Sequence, residues 1–322
     1  MAKMIINGEV YSGSTNYASA ITYIKEDGTK STVQKELDSR PVNNNLLINS
    51  NFANPVNQRG QSVYHRNPDT GVLNIYTIDR WKFGGYAVEG SNYEDSSVTV
   101  NNDYITLDLK ASNDEHYIDF EQILEKPEQY EGKTLTFSVK YRVNSLVTKA
   151  AIMFRCDGAA SGTTLIADGE WHVATKTYTV PNSVTEYLKT SIWGQNSFNV
   201  DVEWAKLELG EVATPYVSRL YEEELELCQI YYQIIHNNLF PWSATTSDMV
   251  FHQHFKPMRI TPTISIIEAA LYLENQIQRG FTFRTDYKTN RRFNLYATKS
   301  YHGLKGKAYV GLFLNVALDA EL

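Results

Sequence analysis

Residues 202–233 read VEWAKLELGEVATPYVSRLYEEELELCQIYYQ, and the spacing of apolar residues changes within this stretch. The first part alternates, which predicts a strand with one buried face; its apolar positions are Val202, Trp204, Leu207 and Leu209. The phase slips at Ala205-Lys206, so we expect a β-bulge there. Gly210 ends the strand, and Ala213-Thr214-Pro215 forms a turn-prone exit.

The second part predicts an amphipathic helix over 221–236. Its apolar stripe, at steps of three and four, consists of Leu225, Cys228, Tyr232 and Ile235. Glu222, Glu223 and Glu224 lie in the first turn, where carboxylates favour the positive end of the helix dipole. The stretch therefore predicts the end of one β-domain, a linking helix within 219–238, and the start of another β-rich segment.

This stretch resembles the junction KLE-G-xx-ATPY … EEL-x-LCQxYYQ of bacteriophage tail-fibre and receptor-binding (fibre or spike) proteins. In that family the junction joins a carbohydrate-binding-module-like jelly roll to a C-terminal tip. The resemblance implies a place on a virion and a homotrimer, without identifying a receptor.

The totals describe a globular chain rather than a disordered one. Its 322 residues predict about two domains, with three as the alternative, and 42% hydrophobic with 12% aromatic residues is ample for packed cores. The formal net charge of −7 argues against a nucleic-acid-binding surface. No apolar run is long enough to span a membrane, and the start of the chain lacks the apolar core of a secretion signal. We therefore expect synthesis in the host cytoplasm and later exposure on a particle.

Only two cysteines occur, Cys156 and Cys228, and they fall in different predicted units. We expect buried free thiols there, not a disulfide or a zinc site.

Residues 1–43 form a short segment with few large apolar groups. Asn7-Gly8 between two apolar runs predicts a hairpin, 20–24 a strand and 31–37 one or two helical turns. The segment resembles the attachment region of phage fibres, INGxxYSG … IxYxxxDGTxSTVQKELD, which implies a virion anchor. The alternative is a flexible leader.

Residues 44–218 open with NLLINSNFANPVNQRGQ and, further on, YTIDRWKF, which again resembles the start of the jelly roll in phage fibres. We expect Leu47, Phe52 and Trp81 in the core. We expect Arg59 and Arg80 to be paired internally by carboxylates rather than to contact a ligand. Alternating or β-branched runs predict strands at 97–100, 104–109, 117–121, 134–143, 149–155, 172–180, 188–193 and 202–209.

Residues 239–322 predict a small C-terminal β tip domain. FKPMRITPT resembles the opening of the tip domain in the same fibres, and strands are predicted at 249–255, 264–267, 280–284, 292–298 and 307–318. Alternation near the terminus predicts a last strand inside a sheet. The fold class is mostly β: an anchor segment, a β-sandwich (jelly roll), a short linking helix and a small β-domain.

The sequence carries no catalytic motif of the serine-hydrolase, P-loop or dinucleotide-binding type. Glu203 and Glu208 fall on opposite faces of one strand, and Asp119 and Glu121 read as ordinary exposed acids. We expect no enzyme activity and no cofactor.

Metal binding is not predicted either. His252 and His254 share a strand face without an obvious third ligand, so we expect a solvent-facing or inter-subunit pair. The loop acids Asp157, Asp168 and Glu170 lack the regular ligand spacing of a calcium loop.

Glycan binding is the remaining chemistry, because aromatic faces and planar polar groups recognise sugars. The candidate contacts are Tyr86, Tyr93, Trp242, Tyr287 and Tyr301. Trp171, Trp193 and Trp204 are expected in the core.

We therefore expect a virion fibre or spike protein attached through 1–43, which binds host cell-surface polysaccharide without catalysis. The helix stripe could pack about the threefold axis of a homotrimer, or alternatively dock onto its own domain. Two rivals are a purely structural head-fibre or baseplate decoration protein and a polysaccharide depolymerase.

Overall fold

A computed structural model describes the chain in two compact units, Met1–Asn43 with Thr214–Val217, and Asn44–Ala213 with Ser218–Leu322. The described residues are 4–6, 9–11, 22–24, 30–32, 44–65, 75–86, 96–110, 117–146, 149–195, 197–239, 243–244, 248–273, 276–278, 281–298 and 310–321.

The first unit contains two short antiparallel strand pairs. β1 (Met4–Ile6) pairs with β2 (Glu9–Tyr11), Ile6 opposite Glu9, which confirms the hairpin predicted from Asn7-Gly8. β3 (Thr22–Ile24) pairs with β4 (Lys30–Thr32). The helical turns predicted over 31–37 are therefore wrong at their start, where β4 forms; 33–37 lie outside the described residues.

The second unit begins with a sandwich of two antiparallel six-stranded sheets. Its strands are β5 (Val63–His65), β6 (Ile75–Tyr76), β7 (Lys82–Tyr86), β8 (Ser97–Val100), β9 (Ile105–Leu109), β10 (Tyr117–Ile123), β11 (Thr134–Leu146), β12 (Lys149–Cys156), β13 (Ala159–Thr164), β14 (Trp171–Thr179), β15 (Leu188–Gln195) and β16 (Phe198–Leu209). Sheet I has the order β13-β12-β15-β10-β7-β6, and sheet II has the order β14-β11-β16-β9-β8-β5. This arrangement confirms the mostly β fold class and the jelly-roll-like sandwich.

The core of the sandwich lies between these sheets and contains the three predicted groups. Leu47, Phe52 and Trp81 are fully buried. The Trp81 ring stacks on Phe120 at 4.8 Å between centroids and meets the edge of Phe52 at 5.0 Å. Its indole N–H donates to the backbone carbonyl of Asn49 at 2.7 Å. An aromatic cluster with its polar atom satisfied thus anchors the opening segment.

The bulge predicted at Ala205-Lys206 lies two residues earlier. Opposite β11, Lys140 pairs with Trp204 and Tyr141 pairs with Val202, which leaves Glu203 without a partner in the ladder. Because of this extra residue, Ala205 rather than Trp204 continues the buried face of Val202.

The helix predicted over 221–236 is shorter in the structure. α1 (Tyr221–Gln229) ends at Gln229, and β17 (Tyr232–Leu239) follows. β17 pairs along its whole length with the last strand, β24 (Val310–Asp319). A sheet partner that is distant in sequence therefore overrides the helical spacing, and the prediction of one continuous stripe is wrong: Leu225 and Cys228 are helical, whereas Tyr232 and Ile235 are in a strand.

Two further antiparallel four-stranded sheets complete the second unit. Their other strands are β18 (Ser243–Ala244), β19 (Asp248–His254), β20 (Thr263–Leu273), β21 (Gln276–Gln278), β22 (Thr282–Asp286) and β23 (Arg292–Thr298). Sheet III has the order β17-β24-β20-β21, and sheet IV has the order β18-β19-β23-β22. β24 is flanked on both sides, which confirms the prediction of a last strand inside a sheet.

A second core lies with these strands and includes Met249, Phe251, Phe293, Leu295 and Leu314. None of the helices in the described ranges is long and apolar enough to cross a bilayer.

Candidate functional site

Alternation along β10 sends two sets of side chains to opposite sides of sheet I. Ile118 and Phe120 enter the sandwich core. Asp119 lies opposite Trp193 of β15 on one side and Gly84 of β7 on the other. Directly opposite residues of antiparallel strands project to the same face. The residues of β10 that alternate with the core positions therefore share the outer face of sheet I with groups from both neighbouring strands.

A cleft with a volume of about 260 Å³ lies on this outer face. Its lining residues, which we call the sheet I cleft, are Lys82, Gly85, Tyr117, Asp119, Glu121, Ile123, Tyr187 and Lys189. The lining combines aromatic, cationic and anionic groups, which is the composition of a polar ligand site.

The two carboxylates of the cleft are buried, so the expectation of ordinary exposed acids is wrong. Asp119 is 2% exposed and Glu121 is 3% exposed. Asp119 accepts a hydrogen bond from the Ser191 hydroxyl at 2.7 Å and lies 3.5 Å from Nε of Arg155. Glu121 accepts from Nζ of Lys189 at 2.6 Å. Each acid is thus held in place by a cation from another strand of sheet I, Arg155 from β12 and Lys189 from β15.

Burial raises the pKa of Asp119, although the Arg155 guanidinium beside it acts in the opposite direction. Desolvation of the charged form is the larger effect here.

Aromatic rings stand beside these ionic groups. The rings of Tyr117 and Trp193 are 6.3 Å apart, and the Arg155 guanidinium lies 4.9 Å from the Tyr117 centroid. The Lys189 ammonium lies 5.3 Å from the Tyr187 ring. Ring faces next to fixed polar groups are suited to a ligand with both C–H surfaces and hydroxyls.

The expectation that three tryptophans pack in the core is wrong. Trp171, Trp193 and Trp204 are half-buried. Trp193 shares the outer face with Asp119, and Trp171 lies under the Arg142 guanidinium, 5.0 Å from its ring, in sheet II.

The loop that carries Tyr187 is fixed by Asp157. This carboxylate accepts backbone N–H groups of Thr185, Glu186 and Tyr187 at 2.6, 2.9 and 3.0 Å. These hydrogen bonds lower the pKa of Asp157 to about 2. Asp157 therefore positions a wall of the cleft.

The residues predicted to contact glycan are not brought together by the structure. Tyr86 ends β7 and pairs with Tyr117 in the ladder, so its backbone borders the cleft. Tyr287 is 69% exposed and follows β22, away from sheet I. Tyr93, Trp242 and Tyr301 lie outside the described residues.

The other candidate ligands have mainly structural positions. His252 and His254 alternate with the buried Phe251 and Gln253, so the pair faces outward from sheet IV. Asp168 accepts from the backbone of Glu170 at 3.0 Å and contacts Nε2 of His172 at 2.8 Å. Within the described ranges, no group of three or more His, Cys, Asp or Glu side chains is arranged to hold a metal ion.

Arg59 and Arg80, the arginines of the NQRG and DRW segments, lie outside the sheet I cleft, where the sandwich meets β17 and the end of the chain. Arg59 donates to Oδ1 of Asp79 at 3.1 Å, and its guanidinium lies 3.8 Å from the centroid of the Tyr232 ring. Burial raises the pKa of Asp79 to about 7, with Arg59 acting in the opposite direction.

Arg80 makes the companion contacts. It donates to Oε2 of Glu321 at 2.7 Å, its backbone N–H donates to Oε1 at 3.1 Å, and its guanidinium lies 3.6 Å from the Tyr231 centroid. The internal pairing predicted for Arg59 and Arg80 is confirmed. We call the set Arg59, Asp79, Arg80, Tyr231, Tyr232 and Glu321 the junction cluster.

The helix docks onto the sandwich beside the junction cluster. Glu224 accepts from the backbone N–H of Asn49 and from Nη1 of Arg219, both at 2.7 Å. Cys228 is fully buried, and burial raises the pKa of its thiol. Cys228 and Tyr232 belong to the apolar stripe predicted for the helix, and both are buried within one chain. These two residues therefore pack on their own unit.

No family model and no curated protein matches this sequence. Several solved structures are similar in fold. A CBM4 protein is 17% identical, and the match covers 40% of this chain and 87% of the CBM4 chain with a TM-score of 0.32. The C-terminal family 22 carbohydrate-binding module of Clostridium thermocellum Xyn10B has 12% identity, coverages of 55% and 100%, and a TM-score of 0.32.

A cyclase from Fischerella sp. TAU has 14% identity, coverages of 53% and 98%, and a TM-score of 0.32. These structures include both carbohydrate-binding modules and a cyclase. Scores at this level carry no argument about function, which has to come from the residues of the cleft.

Proposed function

We propose that this chain is a non-catalytic glycan-binding protein and that the sheet I cleft holds part of a polysaccharide. The observation that carries the proposal is the placement of Tyr117 and Tyr187 beside two carboxylates that Arg155 and Lys189 hold in fixed positions. Aromatic faces cover sugar C–H surfaces, and fixed carboxylates accept from hydroxyls.

The dimensions agree with a short part of a longer glycan. Ligand sites are commonly ~300–1,000 Å³, and the cleft volume of about 260 Å³ lies just below this range. Such a cleft accommodates a small number of sugar rings, and the rest of a chain would continue over the sheet.

The arrangement of the acids favours binding over hydrolysis. A glycosidase sets its two carboxyl groups on either side of the scissile bond, roughly 5–9.5 Å apart. Asp119 and Glu121 lie two residues apart on the same face of β10, roughly 6.6 Å along the strand and within that range. Their pairing is what favours binding, because each carboxylate is already engaged by a cation. We therefore expect no released reducing sugar.

The biological setting is proposed from the resemblance of 202–233 and of the opening segments to phage fibres. In this proposal the protein is a fibre or spike on a virion, attached through 1–43 and binding host cell-surface polysaccharide. A homotrimer would multiply weak sugar contacts through effective concentration. The trimer rests on the resemblance and not on the helix stripe, because Cys228 and Tyr232 are covered within one chain.

The test is binding of the fluorescently labelled full chain to a panel of bacterial cells and to their isolated wall polysaccharides, with light scattering to give its mass. Tyr117→Ala removes a cleft ring, and Tyr104→Ala is the matched control, since Tyr104 lies beside Trp171 in sheet II. We expect saturable binding that Tyr117→Ala weakens about tenfold, the size of a lost aromatic contact. Absence of binding to every cell and polysaccharide would favour the structural decoration protein, and released reducing sugar would favour the depolymerase.

A further inference from the structure

We propose, building on the proposed function, that the sheet I cleft selects polysaccharides with acidic groups and that Lys82 contacts the anionic oxygen. The carboxylate of a uronic acid and the phosphate of a glycerol-phosphate polymer share this chemistry.

The first argument is the charge that remains after internal pairing. Lys189 neutralises Glu121 at 2.6 Å, and Arg155 lies 3.5 Å from Asp119. Lys82 also lines the cleft and lies opposite Glu121 in the β7–β10 ladder. Its ammonium makes no ion pair with any residue in the described part of the chain. Lys82 is therefore the lining cation that no described carboxylate pairs with directly.

The second argument is the kind of hydrogen-bonding group that remains. Trp193 lies opposite Asp119, and Nε of Arg155 lies 3.5 Å from the same carboxylate, so both donors adjoin the cleft rather than line it. Both nitrogens are buried, and neither makes a hydrogen bond to a described residue. Both are donors, and a buried donor without an acceptor is costly. The acids of this face, by contrast, already accept from Ser191 and Lys189.

The Lys82 ammonium and the N–H groups of Trp193 and Arg155 are all hydrogen-bond donors, so they favour a ligand rich in acceptor atoms. A neutral sugar supplies hydroxyls, which donate as well as accept and carry no charge to compensate Lys82. A carboxylate or phosphate supplies several acceptor oxygens and the opposite charge, and hydrogen bonds between charged partners are about twice as strong as neutral ones.

The experiment is titration calorimetry of the full chain with four probes at two salt concentrations. The acidic probes are polygalacturonate oligomers and poly(glycerol phosphate). Their neutral counterparts are carboxyl-reduced polygalacturonate and polyglycerol, so the two arms separate a carboxylate source from a phosphate source. We expect at least one acidic probe to bind about tenfold more tightly than its counterpart, and to weaken as salt rises.

The variant that isolates the cation is Lys82→Met, which keeps the aliphatic stem. Lys176→Met is the matched control, because Lys176 is a half-buried lysine on β14 of sheet II. Lys82→Met should weaken binding of the acidic probe about tenfold and abolish the salt dependence of that binding. Lys176→Met should change neither the affinity nor its salt dependence.

Two outcomes would overturn the inference, and they are distinguishable. Equal binding of acidic and neutral probes, unchanged in Lys82→Met, would reject acidic selection and leave glycan binding intact. Failure of all four probes together with every wall polysaccharide would reject the proposed function itself.

Discussion

The junction cluster and the sheet I cleft are built from the same kinds of residue but have different neighbours. Both place an arginine over a tyrosine ring and against a buried carboxylate. At the junction, Arg80 contacts the Tyr231 ring, the Ile123 carbonyl and Glu321. Both carboxylate oxygens of Glu321 accept hydrogen bonds from Arg80. Beside the sheet I cleft, Arg155 lies next to Asp119 and the Tyr117 ring, both of which line a cavity of about 260 Å³. Buried nitrogens without a hydrogen-bond partner occur in both places: Nη2 of Arg59 and Nε of Arg80 at the junction, and Nε of Arg155 beside the cleft.

The difference shows how one chemistry serves two purposes. Where a second part of the chain covers a cation–aromatic–carboxylate group, the group fastens two parts together. Where the same group lies beside a cleft, as Tyr117 and Asp119 do, its ring and charged groups can contact a ligand. The predictions below test whether the junction residues matter for stability and the cleft residues for binding.

The largest expected effect is loss of stability in Arg80→Met. Arg80 and Glu321 are both almost fully buried, so removal of the Arg80 cation leaves a buried carboxylate whose nearest remaining cation, Arg59, is 3.8 Å away. We expect the free energy of unfolding to fall by about 3 kcal/mol or more. Urea unfolding measures it.

The matched control is Arg284→Met, because Arg284 lies 3.7 Å from Asp286 with both side chains half exposed. Loss of that surface pair should cost less than about 1 kcal/mol. Equal losses in the two variants would contradict a fastening role for the junction cluster.

A pH-dependent effect is expected from Asp79. Burial raises its pKa from 3.8 to about 7, so between these values the native state binds more protons than the unfolded state. The contribution of Asp79 therefore makes the protein less stable as pH rises from 3.8 to about 7, and no further change comes from this group above that range.

The measurement is the difference in unfolding free energy between the unmodified protein and Asp79→Asn, followed across this pH range. We expect the unmodified protein to lose stability relative to the variant as pH rises. A difference that stays constant with pH would show that Asp79 titrates alike in both states.

A smaller effect is expected on the cleft side from Asp157→Ala. Because three backbone N–H groups lose their acceptor, the loop that carries Tyr187 loses its support. We expect about threefold weaker glycan binding, the size of one modest hydrogen bond, in direct titration. Asp168→Ala is the control, since that carboxylate holds His172 in sheet II. Similar weakening in both variants would contradict a role for the Tyr187 loop in glycan binding.

The smallest effect is expected from Tyr287→Ala. This tyrosine is exposed and lies outside the cleft, although its residue type made it a predicted glycan contact. Affinity for wall polysaccharide should stay within the error of the titration. A clear loss would place a binding surface on the C-terminal sheets.

The sequence predicts the sandwich well because alternation is a local signal. The β10 run YIDFEQI shows its two faces directly, with Ile118 and Phe120 between polar residues. The internal pairing of Arg59 and Arg80 is also predicted from the sequence, although partners such as Glu321 are remote in sequence.

The cleft could not be predicted in the same way, because it depends on which strands are neighbours. Asp119 reads as an exposed acid until β15 and β7 bring Ser191 and Lys82 to the same face. Similarly, the helical spacing of Tyr232 and Ile235 is overridden by pairing with β24. Alternation within a strand predicts which side chains share a face, whereas the pairing of strands distant in sequence determines which groups lie next to them.

The most direct test of the central claim is a crystal structure of the full chain with the tightest-binding polysaccharide fragment. We expect sugar density on the outer face of sheet I, in contact with Tyr117 and Tyr187, with an acidic group at Lys82. Density on the C-terminal sheets with an empty sheet I cleft would contradict the account.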